Sequence, residues 1–520
     1  MLKTSILAIL IVVFISSDAR SWTEPQAFQF NFDNQTNDSE GEDVSQTKSS
    51  GSVVQENEQI EVEIDTTPHL VKRPWSRADY SKQSGALGWS ENIFAIPDGL
   101  KPRVQFWIDV YTKYSTDQGV LHDSEHVSVV YESIDFNSIM NDETLTEKQK
   151  RKARKKLVET KKKEISDRLK RLSQVTEPSS LIGEDLRYWN MFSQIDEPNK
   201  FIKALHKKRL RFQLGQSDRF LQGIYYSGQY LPMMEKIFRE QGLPIELTRL
   251  PFVESSFNVK ARSRVGASGV WQFMRYTGKR FMRINYAVDE RNDPIRATEA
   301  AARLFKINYS MLGQWPLAIT GYNHGPAGVQ RVVRKFNTDD IVELVDERYG
   351  RFGFASANFY ACFLAALHVE QNADKYFTDK LEWGAPPTER EIRLSVPVNK
   401  KVLLKWYSGN KEKAQEANRH LTHSFWSGYA TVGKKDFIRV PADQYNVALA
   451  ELDLMSKNKS RLISSARESE GQQNIHFIGQ GETLSDISQQ FGVSVRMLIE
   501  INGIENPRRL MPGQKLVIPK

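Results

Sequence analysis

The stretch Phe-Ala-Ser-Ala-Asn-Phe-Tyr-Ala-Cys-Phe-Leu-Ala-Ala-Leu-His-Val-Glu-Gln, residues 354–371, restricts the fold more than any other. It reads as a strongly apolar helix, and such a helix belongs in the core of an α-helical domain. Suitable neighbours lie before it in the chain. Helical patterns run over Arg219–Phe238 and Ile245–Val253. A further helix is expected from Asp293 to Leu312, with Pro294 in its first turn and small faces at Ala297, Ala300, Ala301 and Ala302. Gly313-Gln-Trp-Pro316 breaks that helix, and Leu317–Tyr322 begins the next. The single cysteine, Cys362, lies inside the apolar run and reads as a buried structural thiol. One cysteine excludes an intramolecular disulfide and any multi-cysteine metal site.

The chain has 520 residues, too many for one compact core, so several units are expected. With 40% hydrophobic and 26% charged residues, a folded soluble protein is the default. The net charge of +8 suits an anionic partner, and no base-reading motif points to nucleic acid. Residues 1–19 read as an export signal: Lys3, the apolar run Ile6–Ile15, then Ser17-Asp18-Ala19. The run is shorter than the roughly 20 residues of a spanning helix. An uncleaved anchor is the alternative, and no cysteine follows the run to carry a lipid. Residues 20–70 are polar and acidic and are expected to be disordered.

Residues 71–225 form an N-terminal region of mixed character and unassigned role. Val104–Tyr111 and Val127–Tyr131 alternate aromatic and β-branched residues, which predicts strands, or a strand and a short helix. Leu145–Ser173 is a helix rich in lysine and arginine, read first as a solvated face and second as an attractor of anionic polymer. Phe201–Phe212 is expected to be helical. Beyond Trp383-Gly-Ala-Pro-Pro387, Ile392–Val396 and Asp436–Pro441 read as strands flanking a helix. Residues 456–473 read as a polar linker, and 474–519 as a small unit of its own.

Leu250-Pro-Phe-Val-Glu-Ser-Ser-Phe257 sets the carboxylate of Glu254 among apolar side chains. Lost solvation raises a carboxyl pKa, as a general acid near neutral pH requires. A glutamate ending an amphipathic helix is more often a solvated end residue. Here, however, a small-residue turn, Gly266-Ala-Ser-Gly269, runs straight into Val270-Trp-Gln-Phe273.

Four pieces in order over roughly 230–375 resemble the SLT-type lytic transglycosylases that cut peptidoglycan, notably the membrane-bound D type that carries LysM repeats. They are Glu254-Ser255, Gly269-Val-Trp-Gln-Phe273, Thr320-Gly-Tyr-Asn-His-Gly325 and Tyr360. The resemblance implies a lysozyme-like helical domain over 226–378 within an α+β multidomain protein, with no cofactor and no metal. It implies that Glu254 protonates the glycosidic oxygen between N-acetylmuramic acid and N-acetylglucosamine. The substrate's acetamido group then stabilises the cation, and Glu254 takes the proton of the C6 hydroxyl. The product is a 1,6-anhydro sugar. Ordinary glycosidases need a second carboxylate, and the flanks of Glu254 offer no obvious one.

The resemblance makes Ser263, Gly269, Gln272, Tyr322, Asn323 and Tyr360 the substrate-binding set. Ser263 is a candidate for the acetamido group and equally a turn serine. Gly269 would let backbone approach the sugar, and Gln272 would supply a donor and acceptor. Tyr322 would bond Glu254 or stack on the substrate, Asn323 would fix the groove wall, and Tyr360 would bond the carboxylate, though a core tyrosine reads the same way. Trp271 reads as core and His324 as a loop histidine. Gly321 stands where the family usually has alanine, a small-for-small change.

The last unit resembles a LysM module through Gly481-Glu-Thr-Leu484, Asn502-Gly503 and Pro512-Gly-Gln-Lys-Leu-Val-Ile-Pro519. Strand, two helices and strand are expected, with a glycan groove at Gly481, Glu482, Thr483, Leu484, Leu510 and Met511. Residues 384–455 are a possible degenerate module of similar shape. The reading is an exported cell-envelope enzyme whose partner is the peptidoglycan strand. A hydrolytic muramidase and a non-catalytic wall-binding protein are the alternatives.

Overall fold

The computed structural model describes residues 70–71 and 93–518, apart from 207, 348, 379–380, 469–473, 505 and 508–509. The expected export signal and, except for Leu70, the acidic segment lie outside the described residues. Among those residues the chain is mostly helical with small antiparallel sheets, an α+β multidomain fold as anticipated. β1 (Leu70–Val71) pairs with a short strand at Trp383–Gly384, which brings the two ends of the helical unit together.

Val104–Tyr111, expected to contain a strand, lies wholly within helix α1 (Lys101–Thr112). Its apolar residues also satisfy a helical period: Val104, Trp107, Ile108 and Tyr111 are all buried on one side. Pro102 sits in the first turn, where its missing amide costs nothing. β2 (Gln118–Asp123), β3 (Val130–Asp135) and β4 (Leu210–Leu214) form an antiparallel sheet in the order β3-β2-β4.

Across that sheet lies α2 (Glu147–Leu172), opened by a Thr146–Gln149 capping box. Val158, Ile165, Leu169 and Leu172 are buried with Leu121, Tyr131 and Ile134. Lys148, Arg151, Lys152 and Lys155 face solvent, so the basic run is chiefly a wet helix face. Phe201–Phe212 departs from its helical expectation: a short helix stops at Ala204 and β4 begins at Leu210. Tertiary contacts override local propensity here. Buried Arg209 is held by Asp123 at 2.8 Å and Glu197 at 3.0 Å, and its neighbours complete the ladder with β2.

α3 (Ser217–Glu240) leads into the segment that carries Glu254. The helix expected over Ile245–Val253 is instead a 3₁₀ turn, Ile245–Arg249, followed by α4 (Leu250–Ser255). Pro251 has no N–H for the carbonyl of Leu247, so the α pattern restarts there. Arg249 is fully buried, 2.5 Å from Glu235 and 3.3 Å from Glu370, and pins α4 between its neighbours. α5 (Pro294–Leu312) is capped by Asp293, which accepts from the amides of Ile295 and Arg296. Gly313 ends it in the left-handed conformation. α6 (Trp315–His324) and α7 (Pro326–Phe336) follow. α8 (Phe354–Gln371) has the expected bounds and is buried almost throughout, including Cys362. α1 packs in the same core, so 94–127 shares its apolar interior with the helices after 217.

A further core joins β5 (Arg390–Arg393) and β6 (Phe437–Val440), which pair antiparallel with α9 (Lys400–Trp406) and α10 (Lys411–Ala417) between them; the strand expected over Ile392–Val396 starts earlier and stops at Arg393. It also takes in Ala287 and Val288 from the loop before α5. The expected linker from 456 is helical to Glu468, because α11 (Tyr445–Glu468) runs straight through the boundary. No glycine or proline interrupts that run, and Asp453 pairs with Lys457 one turn on. In the last unit β7 (Asn474–Phe477) pairs with β8 (Lys515–Ile518) around α12 (Leu484–Phe491) and α13 (Val495–Asn502), as expected. No described helix is long and apolar enough to cross a membrane.

Candidate active site

Glu254 lies one residue before the end of α4, and the chain after the helix turns sharply. Ser256 and Phe257 both take positive φ, and their amides close on Phe252 and Pro251. Successive non-glycine residues in this region cost about 1 kcal/mol or more each. The turn keeps the Glu254 side chain at the helix end, not in the next turn of helix. Glu254 is buried, and its carboxyl is pushed up to about 8 by burial, with no charged neighbour contributing. Among the described residues no hydrogen bond reaches it. A carboxyl in this state holds its proton at neutral pH, which suits a general acid.

A closed loop, residues 261–273, stands beside this helix. Ser255 donates to the carbonyl of Val270 at 2.8 Å, which links the helix to the loop. Gln272, itself at positive φ, donates its side-chain amide to the carbonyls of Ala261 and Gly269 at 3.2 and 2.8 Å. The donor expected to meet glycan is therefore spent closing the loop. Gly269 has a reason of its own within the protein. At φ +76°, an added Cβ would sit 1.8 Å from the carbonyl oxygen of Arg291, so protein backbone by itself already requires glycine here. Ser263 accepts from the amide of Ala267 at 2.9 Å and is half-buried, which favours the turn-serine alternative.

The far side of the site comes from α6 and α8. Tyr322 donates to the carbonyl of Trp271 at 2.8 Å and does not bond Glu254. The two are near neighbours nonetheless. Burial, and secondarily the charge of Glu254, holds the Tyr322 phenol well above its usual range. Asn323 is buried on the same helix. Tyr360 is buried in the core and stacks on Phe363; burial raises its pKa, and no hydrogen bond joins it to Glu254. Trp271 is core, as expected, and donates to Thr298 at 2.8 Å. His324 contacts the hydroxyl of Ser356 at 2.9 Å and is pushed down to about 4 by burial, so at neutral pH it is an uncharged packing residue.

The LysM candidates divide in the same manner. Leu484 is buried in the unit's core and does not face a groove. Glu482 accepts from the amide of Gly479 and from His476, both at 2.7 Å, which lowers its pKa. Thr483 forms a capping box with Asp486. Gly481 supplies a turn at φ +81°. Leu510 packs partly against the core, and Met511 is 72% exposed. Thr483→Ala is expected to destabilise α12 by about 1 kcal/mol, seen as faster amide exchange over 484–491 in the full chain.

Residues that sequence reasoning passed over build the frame of this site. Arg249 and its two glutamates, Ser255 and Arg291 all act through contacts far apart in the chain. Only Ser255 had a signal, its place in the Glu-Ser pair.

Comparison with known proteins bears on the same two regions. Residues 234–345 match the transglycosylase SLT domain, and 476–519 match the LysM domain. The membrane-bound lytic murein transglycosylase D of Escherichia coli K12 is 25% identical over 291 residues, 54% of this chain and 61% of that protein. Its counterpart from Escherichia coli O6:H1 matches equally. A putative tributyltin chloride resistance protein of an Alteromonas species is 35% identical over 106 residues, 20% of this chain and 51% of that protein. The chain thus spans about three fifths of the length of the transglycosylases it matches. It carries an SLT transglycosylase domain followed by a LysM domain.

Proposed function

We propose that this chain is a cell-envelope lytic transglycosylase that cleaves the bond between N-acetylmuramic acid and N-acetylglucosamine in peptidoglycan and leaves 1,6-anhydro ends. The observation that carries this reading is Glu254: a buried carboxyl pushed up to about 8 by burial, with no charged neighbour shifting it. A proton held at neutral pH serves the first step, in which Glu254 protonates the leaving oxygen and the bond from C1 breaks. The cation at C1 is met by the substrate's acetamido oxygen. The ionised Glu254 then removes the proton of the C6 hydroxyl, whose oxygen closes on C1. The proton count balances, and no water is consumed.

Burial alone raises the Glu254 carboxyl, with no charged neighbour among the described residues contributing to the shift. That favours the single-carboxylate route over the paired one of ordinary glycosidases. Glu254 and Tyr322 are the residues we assign to the substrate face, with Gln272, Gly269 and the turn serine Ser263 shaping the loop behind it. The LysM domain would hold glycan near the groove and raise its local concentration. Export and a periplasmic setting follow from the substrate and from the signal-like start of the chain.

Digestion of purified sacculi, with product masses read by mass spectrometry, tests the reaction. Products lighter by one water than the reducing muropeptides are expected. Reducing ends alone would assign a hydrolytic muramidase, and no release would leave a wall-binding protein.

A further inference from the structure

We propose that Arg291 is a positioning residue for glycan cleavage, held in place by the unit that follows the SLT domain. The proposal rests on the catalytic reading above and adds a role for residues 390–440.

Arg291 is buried outside the substrate-facing set, yet it touches the active-site loop at three places. Its Nη1 donates to the carbonyl of Gly266 at 2.7 Å and to that of Phe273 at 3.0 Å, the two ends of the turn. Its own carbonyl packs where a side chain on Gly269 would fall. The next residue, Asn292, accepts from the hydroxyl of Ser268 at 2.6 Å. One guanidinium therefore fixes the separation of the ends of the segment that carries Val270, Trp271 and Gln272. Those three supply the carbonyl for Ser255, the carbonyl for Tyr322 and the amide that closes the loop.

The guanidinium is itself aimed from behind. Asp289 grips it with both oxygens, at 2.9 Å to Nε and 2.7 Å to Nη2. Paired hydrogen bonds of this kind set the plane of an arginine as well as its place. The backbone of Asp289 belongs to a seam with the following unit. Its amide donates to the carbonyl of His420 at 2.7 Å, Val288 bridges to Leu421, and the amide of Thr422 donates to Ala287 at 2.9 Å. Ala287 and Val288 lie in that unit's apolar core. Ion pairs flank the seam at Arg283–Asp436 and at Asp293–Arg439, with Arg296–Glu391 beside the second. The unit is thus continuous, through Asp289 and Arg291, with the loop beside Glu254.

The test uses the full chain carrying Arg291→Lys or Asp289→Asn, with kcat and KM measured on soluble peptidoglycan strands across pH. Lysine has one nitrogen and cannot hold Asp289 and both carbonyls together. Each variant is expected to lose about tenfold in kcat with KM within about twofold, because a misplaced loop costs the chemical step more than binding. A looser loop also admits water to Glu254, so the alkaline limb of activity moves to lower pH. A merely structural role predicts a lower melting temperature with kcat and the limb unchanged, and that result in either variant overturns the proposal. Where Arg291→Lys does not fold, Asp289→Asn decides, since it keeps Arg291 and the seam's backbone bonds. Wild-type protein that releases no fragments refutes the catalytic reading itself, whereas active wild type with wild-type kcat in both variants refutes only this one.

Discussion

Glu254→Gln is expected to abolish glycan cleavage, with a loss of at least about 1,000-fold, while binding to sacculi persists. The amide keeps the size of the side chain but can neither give the proton nor take it back. Pull-down with sacculi and product analysis on the same samples separate the two effects. Retained cleavage would end the catalytic assignment.

The same substitution should stabilise the fold at neutral pH. The Glu254 carboxyl titrates near its ordinary 4.5 when unfolded and at about 8 when folded. Below pH 4.5 both states hold the proton, and burial of this group costs little. As pH rises from 4.5 to 8 the unfolded chain ionises while the folded one does not, and the fold loses stability. Glutamine removes that loss. The expected gain is on the order of 2–3 kcal/mol near pH 7 and is absent near pH 4. Denaturant titrations at the two pH values measure it. In activity, the proton of the free enzyme should be lost with a midpoint near 8, so kcat/KM falls above that pH.

Gly269→Ala is expected to cost about 4 kcal/mol or more and to remove activity with it. Two penalties combine. The residue lies at φ +76°, where an L side chain costs about 1–2 kcal/mol. Its Cβ would also meet the Arg291 carbonyl at 1.8 Å, a backbone atom that cannot swing aside as a side-chain end would. Gly266→Ala separates the two penalties. It too has positive φ, at +90°, but open space lies around it. It should cost only the first penalty, and equal destabilisation of both variants would show that the collision is relieved.

Much of the site was legible because its chemistry is local. Glu254 is surrounded in sequence by Pro251, Phe252, Val253 and Phe257, and these residues are buried together with it. Helices α5 and α8 were legible from a first-turn proline with small-residue faces and from a strongly apolar run. Val104–Tyr111 was harder. Its residues satisfy both a strand alternation and a helical period, and only packing against α8 in a shared core selects the helix. Leu210–Leu214 became a strand because β2 offered a ladder, a partner almost a hundred residues away in the chain.

The sequence by itself therefore pointed to the proposed acid, its apolar company, the small-residue turn at 266–269 and the helical nature of the core. These depend on neighbours within a few residues, where spacing and side-chain type settle the outcome. Tertiary structure alone decided what Gly269 and Gln272 do. From sequence each looked ready for sugar; in the fold one makes room for the Arg291 carbonyl and the other donates to its own loop. Tertiary structure alone also joined that loop to Asp289 and residues 420–422. Hydrogen bonds and close packing between distant segments leave no period or motif in the chain, because any residue with a carbonyl can accept them.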